Sequence, residues 1–334
     1  MAQPTIKDVA KLAGVSISTV SRVMNKSKPV SPEAERKVID AINKLGFKPN
    51  ELARSLVMKH SNSIGILVKD IGIEYMANMI RGAEEIGRMY NYDILLSSTY
   101  GELELEKKEV DFLYRKQVEG MIIISENIDP EIIIKVRDYH IPYILLDHYY
   151  KSSDYHTVSI DYHEAMYQLT EHLLKQGNKN IWYLRSNLSY DVVKDKMNGY
   201  EDAMEKAHLM SNTLEARGIT AQSGYDAIER FGRDSLLETD VIIAETDELA
   251  IGVFNYCYEK EISIPESVQI AGFGSSKISQ IIRPRLTSVN EPYYDIGAVA
   301  MRMLTKELQD HERISASVTL PTQLFIGEST KNKQ

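Results

Sequence analysis

At Ser63 the spacing of apolar residues changes, and that change constrains the fold more than any other feature of the chain. Before it, apolar residues recur at three and four. After it, short apolar runs at 64–68, 92–96, 120–124 and 143–146 alternate with helical stretches at 76–88, 104–116 and 129–139. Strands separated by helices of that length are joined as parallel neighbours through right-handed crossovers, so this part is an α/β layer structure. The pattern restarts at 181–184 and runs through 241–244 and 268–273, with helical stretches at 165–175, 196–206, 224–230 and 250–260. A second parallel sheet is therefore expected. Beyond the run at 286–289, a helix at 296–308 and a late strand at 323–326 are expected to return to the first half. The resulting division is 61–160 plus 291–330 for one body subdomain and 161–290 for the other, with a ligand cleft between them at the carboxyl ends of the strands.

The first sixty residues differ in charge as well as in spacing. They hold eleven of the 39 Lys and Arg and five of the 48 Asp and Glu, so the remainder has twenty-eight against forty-three. A cationic module thus precedes an acidic body, and such a module favours an anionic polymer. Thr5 is placed to cap a helix whose apolar face is Ile6, Val9, Ala10 and Ala13, and Gly14 stops it. Ser16 caps a second helix that turns Val20 and Val23 inward and leaves Ile17, Ser18, Ser21 and Arg22 to face outward. That suits a recognition helix in a major groove, with Arg22 on guanine and Ile17 on a thymine methyl. Ser31 caps a third helix with Pro32 at its first position, Val38, Ile39, Ile42 and Leu45 on its core face, and Gly46 at its end. A three-helix protein-binding module is the alternative, disfavoured by the basic charge. Segment 49–60 is too short to be stable as an isolated helix. Folded in a dimer on DNA, it would send Leu56 into the minor groove as a wedge, with Ala53 small enough for close approach. As an ordinary linker, it would pack Leu56 on the body instead.

The body's candidate ligand residues are polar side chains at strand ends: Tyr75, Asp147, Asn187 and Asp247. Asp247 is equally suited to capping the helix that follows it. Catalytic signals are weak: the eight histidines form no metal pattern, no glycine-rich phosphate loop is present, and Gly272-Phe-Gly274 lacks the full dinucleotide fingerprint. Neither metal nor cofactor is expected. The body fold hosts many enzymes, but binding without turnover is the better reading, with a sugar-binding enzyme as a remote alternative. Cys257, the only cysteine, excludes an internal disulfide and reads as a small buried side chain. The opening residues contain no apolar run of signal-peptide type and no run reaches membrane-helix length, so a cytoplasmic, nucleoid-associated protein without membrane contact is expected.

The stretch Ile6-Lys-Asp-Val-Ala-Lys-Leu-Ala-Gly14-Val-Ser-Ile-Ser-Thr-Val-Ser-Arg22-Val-Met-Asn25 closely resembles the helix-turn-helix of the lactose-repressor family of bacterial transcription regulators. Pro49-Asn50 with Ala53-Arg-Ser-Leu56 is similar to that family's hinge, and the likeness continues through Arg81-Gly82, Asp161, Thr246-Asp-Glu-Leu-Ala250 and Ala271-Gly-Phe273. The resemblance implies an all-α helix-turn-helix head at 1–48, a hinge helix at 49–60, and a periplasmic-binding-protein-like α/β body of two parallel-sheet subdomains. It also implies a homodimer on a pseudopalindromic double-stranded DNA operator. The implied DNA contacts are Ile17, Ser18, Arg22, Ala53 and Leu56, and Thr5, Ser16, Ser21 and Asn25 complete the expected set. Tyr75, Asp147, Asp247, Lys196 and Gly274 fall at the implied effector positions, to which the strand-end reading adds Asn187. Two of these depart from the family's sugar-binding pattern. Lys196 stands where many members have an arginine and loses its planar donor fork, and Gly274 replaces an aspartate that often binds sugar hydroxyls.

The stretches Tyr294-Asp-Ile-Gly-Ala-Val-Ala-Met-Arg302-Met-Leu-Thr-Lys306, Met89-Tyr-Asn-Tyr92 and Lys116-Gln-Val-Glu-Gly120 resemble a branch of the family that engages a serine-phosphorylated phosphocarrier protein. By that resemblance Tyr294, Asp295, Arg302 and Lys306 form a corepressor site, with Arg302 on the phosphoserine. The alternatives are a repressor of a single sugar operon, released by a sugar or sugar phosphate, and a helix whose Arg302 is only solvated.

Overall fold

The computed structural model describes residues 4–25, 28–47, 60–125, 129–146, 156–310 and 317–332. Its contacts separate into two compact units, Met1–Ser61 and Asn62–Gln334.

The small unit has three helices among its described residues, α1 (Ile6–Ala13), α2 (Ile17–Asn25) and α3 (Pro32–Leu45). Val9, Val20 and Val38, one from each helix, are fully buried at its centre. Gly14 and Gly46 end α1 and α3 in the left-handed conformation, at φ 66° and 62°, which glycine adopts without steric cost. Ser31 Oγ accepts the Ala34 amide at 3.4 Å, and Pro32 opens α3 as expected. One core assignment changes. Ile39 is 46% exposed, and Ala41 is buried in its place. Positions 38, 41, 42 and 45 repeat at the three- and four-residue spacing of one helix face, and 39 lies a hundred degrees away from it.

The described residues of the large unit form two six-stranded sheets. The first has the order β11-β5-β4-β3-β1-β2 and is parallel throughout, using β1 (Ser63–Val68), β2 (Asp93–Ser98), β3 (Gly120–Ile124), β4 (Tyr143–Leu146), β5 (Thr157–Ile160) and β11 (Ser317–Leu320). The second has the order β12-β10-β9-β8-β6-β7, from β6 (Ile181–Ser186), β7 (Asn212–Ala216), β8 (Val241–Ala244), β9 (Gln269–Phe273), β10 (Thr287–Asn290) and β12 (Gln323–Phe325). It is parallel except for β12, which pairs antiparallel with β10. Between the strands lie α4 (Glu74–Met89), α5 (Leu103–Arg115), α6 (Pro130–Asp138), α7 (Tyr162–Lys175), α8 (Asp191–Lys206), α9 (Ala221–Phe231), α10 (Arg233–Leu237), α11 (Asp247–Glu259), α12 (Lys277–Ile281) and α13 (Tyr293–Asp310).

The late strand does not return to the first half as expected. β11 does so, whereas β12 closes the second sheet, and Pro321-Thr322 carries the chain across between them. Two serine bonds hold the segment after β12 there. Thr287 N donates to Ser329 Oγ at 2.8 Å, and Ser329 Oγ donates to the Ile270 carbonyl at 2.6 Å. Helix α13 does return, and it packs on α4 so closely that a Cβ at Gly297 would lie 1.8 Å from the Met79 carbonyl oxygen.

Candidate DNA interface and effector cleft

In the small unit, helix starts are fixed by local hydrogen bonds. Ser16 Oγ accepts the Thr19 amide at 3.1 Å and lies 2.7 Å from Ser18 Oγ, so the expected cap also orients a neighbouring hydroxyl. At α1, Asp8 Oδ2 accepts the Thr5 amide at 2.8 Å and the Thr5 hydroxyl at 2.7 Å. These bonds hold the Asp8 carboxyl below its ordinary pKa of 3.8. With Val20 buried, Ile17, Ser18 and Arg22 are exposed along α2, Ile17 to 45%, and Ser21 is half-buried. α2 thus presents an apolar group, hydroxyls and a guanidinium on its outer face, a combination that can pair with base edges and phosphates. Ala53, Leu56 and the side chain of Asn25 fall outside the described residues.

The cleft of the large unit is a cavity of about 150 Å³ at the carboxyl ends of the strands. Tyr75 enters from beyond β1, Lys196 from α8, Asp247 from beyond β8, Gly274 from beyond β9, and Glu291 and Tyr293 from beyond β10. Four of the expected effector residues therefore share one cavity. Asn187 does not line it. That side chain is exposed, and its backbone amide donates to the Ala216 carbonyl at 3.0 Å, which binds it to the β6–β7 edge. Asp147 falls outside the described residues.

Lys196 is buried. Its Nζ lies 4.0 Å from the Phe273 ring centroid and 5.3 Å from that of Tyr162, and it donates to the Glu245 carbonyl at 3.3 Å. Aromatic faces attract an ammonium electrostatically and partly compensate for its lost water.

Asp247 does not cap α11. Thr246 does so through its side-chain oxygen, which accepts the Leu249 amide at 3.3 Å. Asp247 instead accepts Ser288 Oγ at 2.7 Å and the Ser276 amide at 2.6 Å, tying the carboxyl ends of β8, β9 and β10 together. Burial pushes its carboxyl above the ordinary 3.8, against the lowering effect of those bonds. Glu291, which the strand-end pattern did not single out, is also buried. Desolvation raises its pKa, opposed by Lys196 and by hydrogen bonds from Tyr293 and Tyr162. Glu245, also missed, accepts the Ser186 amide and hydroxyl. Both glutamates stand immediately after a strand, the same signal that selected Asp247.

At the cleft mouth the Lys277 amide donates to Glu74 Oε1 at 3.3 Å, joining α12 to the start of α4. Gly274, at φ 125°, leaves the corner beside Asp247 open. Among the described residues, a Cβ there would meet only Tyr293 Oη, at 3.6 Å, and Asp247 Oδ2, at 4.0 Å.

The comparisons with known proteins divide the chain at the same place as its change of spacing. Residues 5–50 match the bacterial regulatory proteins of the lacI family, and residues 61–328 match the periplasmic binding proteins and sugar binding domain of the LacI family. Catabolite control protein A of Priestia megaterium is 34% identical over 330 residues, covering 98% of this chain and 99% of that protein. The HTH-type transcriptional regulator RegA of Clostridium saccharobutylicum is 34% identical over 336 residues, covering 98% and 99%. The crystal structure of transcription regulator CcpA of Lactococcus lactis superposes with a TM-score of 0.73 at 29% identity, over 80% of this chain and 99% of that one. The lac repressor dimer bound to operator and an anti-inducer shares the fold at a TM-score of 0.88 and 22% identity, over 98% and 99%. With a three-helix head and two-sheet body both matched across nearly the whole length, the chain belongs to the LacI family of bacterial transcription regulators.

Proposed function

We propose that the protein represses carbohydrate-utilisation genes and that a serine-phosphorylated phosphocarrier protein promotes its binding to a pseudopalindromic operator. The observation that carries this reading is the outer face of α13. Asp295, Arg302 and Lys306 are all exposed there, and spacings of seven and four residues align them in one stripe. An arginine and a lysine one turn apart offer a phosphoserine a paired fork and a second positive charge. Tyr294 at the head of α13 is already engaged, its hydroxyl donating to Glu85 Oε2 at 2.6 Å and its ring lying 5.4 Å from the Arg81 guanidinium carbon. Similarity to catabolite control protein A supports the same reading.

In this reading a homodimer in the cytoplasm, on the nucleoid, presents two heads to the operator. Ile17, Ser18, Ser21 and Arg22 meet bases, Ala53 and Leu56 act from hinge helix 49–60, and the body binds ligands without turning them over. A corepressor works only through different affinities for the DNA-competent and DNA-incompetent states. The test is operator affinity by fluorescence anisotropy at fixed salt, since phosphate contacts make affinity steeply salt-dependent. Phosphorylated carrier should tighten binding at least about tenfold, equal to about 1.4 kcal/mol of coupling. Arg302→Ala should remove that gain and leave carrier-free affinity unchanged. Equal effects of phosphorylated and unphosphorylated carrier would overturn the reading.

The cavity at the strand ends favours a second reading, a repressor of one sugar operon released by a small effector in the cleft. Under it, the ligand alone should weaken operator binding.

A further inference from the structure

The cleft contains more buried carboxylates than its ammonium can balance. Asp247 is 1% exposed and Glu291 6%, and both line the same cavity. Among the described residues neither forms an ion pair. Asp247 is held by serine donors, and Glu291 by two tyrosine hydroxyls. Among the described residues the lining has one ammonium, Lys196, which faces aromatic rings and a backbone carbonyl and whose charge acts on Glu291 but not on both carboxylates at once. Buried carboxylates without enough counter-charge are costly, and a cavity whose three buried carboxylates, Glu245, Asp247 and Glu291, face a single ammonium favours a ligand that supplies another. Among the described residues the lining contains five carboxylates against that single ammonium, so a phosphorylated ligand would enter against a strong negative potential.

The lining is also aromatic. Tyr75 and Tyr293 stand with ring centroids 5.3 Å apart, and Phe273 already faces an ammonium at 4.0 Å. Aromatic faces beside carboxylates are the usual surroundings of a bound organic cation. The open corner at Gly274, between Asp247 Oδ2 and Tyr293 Oη, is where a second ammonium fits. A cavity of about 150 Å³ holds roughly one six-membered ring.

We infer that the cleft takes a compact organic cation bearing hydroxyl groups, an amino sugar in chemical class, with its ammonium between Asp247, Glu291 and Tyr293. This rests on the cleft being an effector site, the second reading above.

The test is calorimetric titration of the full-length protein, in amine-free buffer at fixed ionic strength, with glucosamine, glucose and glucose 6-phosphate. Glucosamine should bind at least about tenfold more tightly than glucose, and glucose 6-phosphate should give no heat of binding. Asp247→Asn and Glu291→Gln should each erase most of the preference for the amine while the body still unfolds in a cooperative transition. Equal or tighter binding of glucose or glucose 6-phosphate overturns the cationic class and leaves the effector cleft standing. Silence from all three sugars overturns both.

Discussion

The outer face of α2 and the strand-end cleft are both candidate binding surfaces, built on opposite electrostatic terms. On the small unit the polar groups are exposed and the caps are local: Asp8 is three residues from Thr5, and Ser16 three from Thr19. In the cleft the polar groups are buried, and their partners come from far along the chain, as with Asp247 and Ser288, forty-one residues apart. Asp8 has its pKa lowered by hydrogen bonds, whereas Asp247 and Glu291 have theirs raised by burial. A surface that reads a polyanion needs accessible donors on a rigid helix. A cleft that encloses a small molecule requires desolvated groups whose cost a ligand offsets.

The largest expected effect tests whether the body depends on close approach where the small unit depends on caps. Gly297→Val places a side chain where even a Cβ would lie 1.8 Å from the Met79 carbonyl oxygen. It should destabilise the body by about 3 kcal/mol or more, as overpacking does. Calorimetry of the full chain should show the body's transition falling while the small unit's transition stays in place. An unmoved body transition would break the contrast. Next in size, Arg22→Ala should weaken operator binding by about 2 kcal/mol, the range for a bidentate base contact, with no change in melting temperature. A loss that is uniform across operator variants would make Arg22 a phosphate contact instead.

The contrast also explains what could be read from sequence. The small unit was legible because capping serine, inward valines and terminal glycine lie within one or two turns of each other. Ile39 misled because an isoleucine beside Val38 carries the same apolar signal on either face. The fully buried strands of the body were legible as apolar runs, but β7, with the sequence Asn-Thr-Leu-Glu-Ala, and β11, with Ser-Val-Thr-Leu, are edge strands with exposed alternate residues and little apolar contrast. β5, Thr-Val-Ser-Ile, is buried throughout yet half polar, so its run was too weak to register. In the cleft, strand-end position found Tyr75 and Asp247. Whether an acidic strand-end residue faces the cavity, as Glu291 does, or the surface depends on contacts between segments that sequence spacing does not encode.

A smaller effect is expected at Ser288. Ser288→Ala removes a donor to Asp247 and should cost about 1.5 kcal/mol at neutral pH, typical for a hydrogen bond to a charged group. Asp247 in the variant would have a folded pKa still further above its ordinary 3.8. A carboxyl raised on folding contributes stability below its unfolded pKa that is lost as pH rises through the folded one. The variant's deficit should therefore be greatest at neutral pH and shrink toward pH 4. A deficit constant across that range would mean that the serine acts through packing alone.

The smallest effect concerns the sign of the pH slope. Because the Glu291 carboxyl is raised by burial above its ordinary 4.5, folding favours its protonated form, and its contribution to body stability should fall as pH climbs from about 4.5 toward neutrality. Glu291→Gln keeps an acceptor for the two tyrosine hydroxyls and has nothing to titrate. Its stability curve should cross that window with a shallower slope and lie above the wild type at pH 7. The small unit should behave in the opposite sense. Asp8, lowered from 3.8, contributes stability that is present above that pH and lost as pH falls through its folded value. Denaturant melts of the two units between pH 3 and 7.5 check both slopes. If the Gln variant and the wild type ran parallel over the whole range, the Lys196 charge and the tyrosine hydroxyls would offset the burial of Glu291 in full. The cleft would then lack the uncompensated burial that sets it apart from the face of α2.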